Sequence, residues 1–436
     1  MACLQSPHNM AVDIIIEFLG HLRHVPGTLK QCSLVCKPWL YPSQKHLFGT
    51  MQIKTHLMKQ DFHHILQFLD QYPHVSSFVK HLVFTKDDRE DEEISLELTQ
   101  FHEVISHFPA LTSVEIQDLN VVVHATDTCN KNQLTRIIRR VPLPHIRSLL
   151  LDRVWTTPVD ITYLLWLVSS VDTLRITDSE SIAEPSSCHS PLAVDLGNLR
   201  HVQLSHSRLS SGLIRQLSKK APDLYTVSIA ERDPNVPDVS RTLIFPSSLA
   251  LRRLCLDLKN VTVASDNDQH PMNVRNYLDL KSFYNLKELK LTVEMACVDA
   301  GGHNPSLQIQ WTLLLGLVES SQASHIVICL SPPQLEMGSM GGPYMKRLKC
   351  PLLDDWWAVL KGQAWPLLDG CLTSKASIPE LGFMGETFCL FTPFCTQEYL
   401  GNMLEENIRS SLPRMSSLGR IVFWNEDKDS ETHWYS

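Results

Sequence analysis

The sequence predicts an α/β protein: a small amino-terminal three-helix unit, then a curved solenoid with parallel strands on its concave face and helices outside. Three observations predict it. Residues 12–48 carry helix-period apolar patterns separated by turn signals. From about Val79 onward an apolar–x–apolar phrase recurs, spaced from 25 residues (Leu149 to Leu174) to 37 (Leu289 to Ile326) over its first nine instances. Helical patterns fall between these phrases, so strand and helix alternate once per repeat. The expected domains are 1–50 and 51–436.

In the first helix Val12, Ile15, Ile16 and Leu19 fall at i, i+3, i+4 and i+7, one stripe, and Ile14 and Phe18 form a second. Asp13 and Glu17 are its only charges. The second helix is expected to start at Thr28 as N-cap after Pro26-Gly27, with Leu29, Cys32 and Cys36 along one side, Leu34 and Val35 broadening it, and Pro38 stopping it. Ser43 after Pro42 is expected to cap a short third helix carrying Leu47 and Phe48. Three helices of this length hold more apolar surface than so small a core buries, which implies a partner. Trp39 is expected in the core. Cys32 and Cys36 have no second cysteine pair at zinc-site spacing, so they read as small apolar side chains.

The apolar first helix Asp13–Leu19, the run Cys-Ser-Leu-Val-Cys-Lys-Pro-Trp from Cys32 to Trp39, and His46-Leu47-Phe48 together resemble an F-box. In that family a Leu-Val-Cys-Lys/Arg-x-Trp run closes the second helix, matched here by Leu34, Val35, Cys36, Lys37 and Trp39. The departure is upstream: the family opens with Leu-Pro and an acidic residue, where this chain has Pro7, His8 and Met10. The resemblance implies docking of a Skp-type adaptor, and through it a cullin, by Val12, Ile15, Ile16, Leu19, Val35, Cys36 and Trp39. With the repeats behind it, the chain looks most like the large F-box families of mushroom-forming (basidiomycete) fungi. An ordinary helical cap on a larger domain is the alternative.

The strand phrases begin at Leu82, Val114, Leu149, Leu174, Val202, Val227, Leu254, Leu289, Ile326 and Ile421. Several follow similar lead-ins, among them Phe108-Pro-Ala-Leu111, Ala221-Pro-Asp-Leu224 and Phe283-Tyr-Asn-Leu286. Helical patterns cover 101–108, 133–140, 161–171, 211–220 and 307–320. These are leucine-rich-repeat lengths, and the array resembles the irregular leucine-rich repeats found behind F-boxes. A doubly wound sheet is the structural alternative. A solvated loop is expected at the acidic run Asp87–Glu93, a Ser/Glu/Pro-rich insertion at Asp178–Pro191, polar loops at Asp233–Ser240 and Ala264–Met272, and a long loop over 331–349. Asp354 is expected to start a helix ending near Trp365-Pro366, Leu404–Trp424 to restore helix then strand, and the last residues to fray.

A formal net charge of −8 and no sustained basic block give no electrostatic footprint for nucleic acid or an anionic membrane. The 12 cysteines lack framework spacing and the amino terminus lacks a leader pattern, so a reducing, cytoplasmic or nuclear setting is expected. The apolar run Trp311–Val318 is far short of the roughly 20 residues of a membrane span.

No enzyme signature survives inspection. His102 and His107 sit five apart beside Glu103, so on a helix they diverge by roughly 140° and cannot share a zinc ion. Gly338-Ser-Met-Gly341-Gly342 lacks the order of a nucleophile elbow. His63-His64 reads as one exposed and one half-buried histidine. No catalytic residue, metal or cofactor is predicted.

Each strand's central residue should instead point to the concave face: Glu115, Arg175, Gln203, Ser228, Cys255 and Lys290, with Gln117, Thr177, Ser205, Asp257 and Thr292 two positions on. A surface of both charge signs suits a protein target; Glu115, Arg175, Gln203, Ser228, Asp257 and Lys290 are the candidate contacts. The expected function is substrate recognition in a cullin-RING ubiquitin ligase. A repeat scaffold without ligase coupling and a hydrolase on a parallel sheet are the alternatives.

Overall fold

A computed structural model describes residues 7–22, 24–55, 59–86, 94–122, 145–168, 170–181, 196–205, 211–230, 241–259, 278–294, 305–331, 364–385 and 405–424. The chain is mixed α/β, with a large parallel sheet and helices. By compactness it divides into Met1–Ala221 and Pro222–Ser436, and the three amino-terminal helices group with the first of these units.

The first unit opens with α1 (Pro7–His21), α2 (Pro26–Ser33) and α3 (Lys37–Leu47). Leu19, Leu29 and Cys32 form their core, with Ile15, Leu22, Trp39 and Leu47 packed around it. The boundaries differ from those expected because Pro26 and Pro38 each lie in the first turn of a helix. Pro26 lies in the first turn of α2 behind Val25, so Thr28 is inside the helix, not its cap. A proline there forfeits an N–H that has no intrahelical partner anyway. Pro38 likewise sits in the first turn of α3, so it opens that helix, and Leu34, Val35 and Cys36 form the link before it. Ser43, expected as a cap, is buried in mid-helix after Pro42, and its hydroxyl has no hydrogen-bond partner among the described residues.

Then come β1 (Thr50–Thr55), α4 (Lys59–Gln71), α5 (Pro73–Ser76), β2 (His81–Lys86), β3 (Ser95–Glu97), α6 (Leu98–Ser106), β4 (Ser113–Gln117) and β5 (Asn120–Val122). After them come β6 (Ser148–Asp152), β7 (Trp155–Thr156), α7 (Pro158–Leu167), β8 (Thr173–Thr177), β9 (Glu180–Ser181), β10 (His201–Ser205) and α8 (Ser211–Lys220). Strands β1, β2, β4, β6, β8 and β10 pair in parallel in chain order. The register is constant: Met51, Leu82, Val114, Leu149, Leu174 and Val202 stand side by side. A doubly wound sheet reverses strand order at a switch point. Among the described residues of this unit there is no reversal.

Strands β4, β6, β8 and β10 bury alternate residues and leave the others half-buried, so one face is packed and the other partly open. Helix α6 supplies part of the packing through Phe101, Val104 and Ile105. Helix α7 starts at a cap: the Thr157 hydroxyl accepts from the Asp160 N–H at 3.1 Å and donates to the Asp160 carboxylate at 2.7 Å.

The repeat is longer than its apolar–x–apolar phrase. Asp118, Arg153 and Asp178, each just after a strand, adopt φ of 55°, 50° and 47°. Their N–H groups donate to Asp152, Thr177 and Ser205 carbonyls on the next strand. This left-handed turn, uncommon outside glycine, swings the chain into the short strands β5, β7 and β9, which with β3 form a second parallel sheet. Residues 178–181, expected within an insertion, therefore continue the repeat, while 182–191 lie outside the described residues.

The second unit holds β11 (Thr226–Ala230), β12 (Arg253–Asp257), β13 (Glu288–Glu294), helix α9 (Pro305–Ser320), β14 (His325–Ser331), α10 (Ala364–Thr373), β15 (Glu380–Gly385) and β16 (Ile421–Trp424). Its strands also pair in parallel and in chain order. Trp311, Trp365, Phe383 and Phe423 contact in series at ring-centroid distances of 5.1, 5.9 and 5.8 Å. Two strands missing from the sequence pattern, β1 and β15, carry it after all, in Met51-Gln-Ile53 and Leu381-Gly-Phe383.

Trp365-Pro366 lies in the first turn of α10, and the helix expected from Asp354 lies outside the described residues. His63 and His64 are both exposed. The expectations for 87–93, 133–140, 233–240, 264–272, 332–349, 354–363 and the last residues lie outside the described residues.

Candidate functional site

The three helices divide the predicted adaptor residues between core and surface. Leu19 is 0 % exposed and anchors the core, with Ile15 and Trp39 half-buried against it, so the i, i+3, i+4, i+7 stripe is not a surface stripe throughout. Ile16 stays 45 % exposed, Val35 65 %, and Cys36 is exposed. Val12 lies in α1, and its side chain is outside the described residues.

Among the described residues of this unit the most exposed apolar side chains are Leu34 at 85 %, Val35, Ile14 and Tyr41, followed by Phe18 at 50 %. Phe18 stands edge-on to Trp39, ring centroids 5.8 Å apart, so the half-buried indole connects this surface to the core. The sequence had offered Ile14 and Phe18 as a second stripe, and the structure makes that stripe outward-facing. Leu34 and Val35 are exposed because α2 ends at Ser33 and they fall in the link between helices.

In the first unit Glu115, Arg175 and Gln203 lie on the partly open sheet face, half-buried between the buried positions of their strands. The Glu115 carboxylate lies 3.2 Å from the His81 Nε2 and accepts a hydrogen bond from Gln117. Gln203 donates to Ser205 at 3.4 Å. Leu150 occupies the same register row between Glu115 and Arg175. At the carboxyl ends of the strands, Arg153 donates to Asp118 at 2.8 Å and lies 3.3 Å from Asp152. The hydrogen bond from Arg153 holds the Asp118 carboxyl below its ordinary value; burial pushes that of Asp152 up.

In the second unit Ser228, Cys255 and Lys290 share one row across β11, β12 and β13. Asp257, two positions on from Cys255, pairs with Lys259 at 3.3 Å, and the Lys259 ammonium also donates to Ser331 at 3.3 Å. Burial holds the Cys255 thiol above its ordinary value, against the opposing pull of Lys290 and Ser228, which keeps it protonated and a poor nucleophile at neutral pH. The row stops at β14: Val327 is 1 % exposed and every residue from Ile326 to Ser331 is buried, so this strand is covered on both faces. Thr292, expected on the concave face, is 5 % exposed, so the open face already closes at the end of β13 and does not continue onto β14.

A cleft of about 540 Å³ in the second unit is lined by Trp365, Pro366, Asp369, Ser410, Ser411, Pro413 and Arg414. Its buried carboxylate is already engaged: Asp369 accepts from the N–H groups of Arg414 at 3.2 Å and Met415 at 3.0 Å, anchoring the short helix Pro413–Ser417. The sequence reading did not find this contact, which joins residues 45 and 46 positions apart without a motif.

Among the described residues no three His, Cys, Asp or Glu side chains cluster as metal ligands, and no helix is long and apolar enough to cross a membrane. No protein-family model matches the chain, and no curated protein does.

Proposed function

We propose that the chain recruits substrates to a cullin-RING ubiquitin ligase, its first fifty residues acting as an F-box that docks a Skp-type adaptor and its repeats holding a protein target on a concave face. The observation that carries this reading is the exposed apolar set Ile14, Ile16, Phe18, Leu34 and Val35 on a helical unit whose core is already filled by Leu19, Leu29 and Cys32. Exposed aliphatic and aromatic groups gathered on one small unit favour a protein partner. Leu34 and Val35 also belong to the run that resembles the family's motif.

The sequential, parallel strand order and the one-sided burial of β4, β6, β8, β10 and β12 support a leucine-rich-repeat solenoid over a doubly wound sheet. Glu115, Arg175, Gln203, Ser228, Asp257 and Lys290 are its proposed target contacts. On this reading the chain itself catalyses nothing; it raises the effective concentration of a substrate lysine near a charged conjugating enzyme elsewhere in the assembly. The setting is cytoplasmic or nuclear, with no cofactor.

Co-purification with a Skp-type adaptor and its cullin tests the proposal. The full chain should retain both, and a form lacking residues 1–50 should retain neither. Failure of the full chain to hold the adaptor, alongside success of a variant given the family's Leu-Pro start, would leave a repeat scaffold without ligase coupling, as the upstream departure at Pro7, His8 and Met10 favours.

A further inference from the structure

The second parallel sheet has one buried face and one open face. Leu96, Val121 and Thr156 are buried, whereas Ser95, Asn120, Trp155 and Glu180 stand side by side in register on the other face, across β3, β5, β7 and β9. Trp155 is 40 % exposed, and its neighbours in that row are an amide and an exposed carboxylate about 4.8 Å away along the sheet. Such a position leaves a large aromatic surface partly in water. The backbone beneath it is held on both sides: the Trp155 N–H donates to the Leu119 carbonyl at 3.2 Å, and the Glu180 N–H to that of Val154 at 3.0 Å. The buried Ser179 hydroxyl accepts from the Val154 N–H at 3.0 Å and donates to the Thr177 carbonyl at 2.9 Å. The row is therefore organised before any ligand arrives.

Charge around the indole is one-sided. Segments 94–97, 118–122, 152–156 and 177–181 carry the carboxylates of Glu97, Asp118, Asp152, Asp178 and Glu180 and one cation, Arg153. Arg153 is turned to Asp118 at 2.8 Å and lies 3.3 Å from Asp152, and Lys86 at the end of β2 is the other cation felt at Asp118. Two cations against five carboxylates leave the face acidic. An apolar partner would bury these carboxylates without counter-charges, and a nucleic acid would meet them with like charge. A lysine or arginine side chain gains twice, from the indole ring and from the carboxylates beside it.

We infer that the open face of this second sheet docks a basic segment of a protein partner, with a lysine or arginine lying over the Trp155 indole and its charge reaching the Glu180 carboxylate. None of these groups is among the proposed concave-face contacts. The inference goes beyond the ligase reading and holds with or without it.

The test uses the full chain in about 150 mM salt, with labelled repeating Lys-Gly and Arg-Gly peptides of about twelve residues, a Glu-Gly peptide of the same length and a maltodextrin as probes. Fluorescence anisotropy should show binding of both basic peptides and none of the acidic one. Trp155→Ala should weaken that binding about fivefold and Glu180→Gln about twofold, while Glu406→Gln in the second unit has no effect. The Trp155 indole N–H resonance, assigned by its absence in Trp155→Phe, should shift when either basic peptide is added, and it reads the contact directly should Trp155→Ala not fold. Peptide binding that Trp155→Ala leaves unchanged overturns the inference, since only general attraction to an acidic chain then remains. An indole resonance that neither basic peptide moves also overturns it. Movement of that resonance by the maltodextrin and not by the basic peptides overturns it in favour of a sugar.

Discussion

Leu19 and Leu34 are the same residue type on the same small unit, one fully buried and one 85 % exposed, and their substitutions should separate folding from binding. Leu19→Ala removes a side chain from the centre of the helical core and should destabilise that unit by about 3 kcal/mol. Amide hydrogen exchange over α1–α3 reads it as lost protection. Leu34→Asp should leave protection unchanged within about 0.5 kcal/mol, because the site is already in water. Equal effects of the two would mean that the core is misassigned.

A second residue-scale prediction concerns acid. The folded-state pKa of Asp118 is lowered by Arg153, so its contribution to stability is present above the ordinary value of 3.8 and lost as pH falls through the lower folded value. Asp152 has the opposite sign: burial raises its folded pKa, so protonation favours the fold as pH falls towards 3.8. Thermal unfolding against pH should therefore lose part of its decline below about pH 4 in Asp118→Asn, and part of its rise on acidification towards pH 4 in Asp152→Asn. A pH profile identical to that of the parent in both variants would contradict the assignment.

At the scale of elements, two contacts fix where helices begin. Thr157→Ala removes the cap of α7 and should cost about 1 kcal/mol, with Thr157→Ser close to neutral. Asp369→Ala should cost about 1–3 kcal/mol, because it strips the acceptor from the N–H groups of Arg414 and Met415. Chemical denaturation monitored at the second unit checks the larger value; a loss within error would mean water replaces the carboxylate. Strands were the legible elements, since a buried face with period two leaves an apolar–x–apolar phrase in the sequence, as also in Met51-Gln-Ile53 and Leu381-Gly-Phe383. Helix starts were not legible, because Pro26 and Pro38 open helices as readily as they end them. The turns at Asp118, Arg153 and Asp178 share no glycine to advertise positive φ. The Asp369 anchor spans 45 residues and leaves no local trace.

Across the whole molecule, the candidate sites were partly written in sequence. The open positions Glu115, Arg175, Gln203, Ser228 and Lys290 follow from strand alternation alone. The covering of β14 on both faces does not, because an unbroken apolar strand fits either a buried sheet or the end of an open one. Nor does the choice between the two stripes of α1, since periodicity defines a face without saying what packs on it. The proposed function joins these scales: the exposed apolar side chains of the helical unit would hold a partner, and the repeats would hold a target. Titration calorimetry of the full chain with a purified Skp-type adaptor tests it most directly, using wild type, Leu34→Asp/Val35→Asp and a surface control, Ser76→Asp. The account predicts a one-to-one complex for wild type and control and no measurable heat of binding for the double variant. Equal binding by the double variant, or none by wild type, would contradict it.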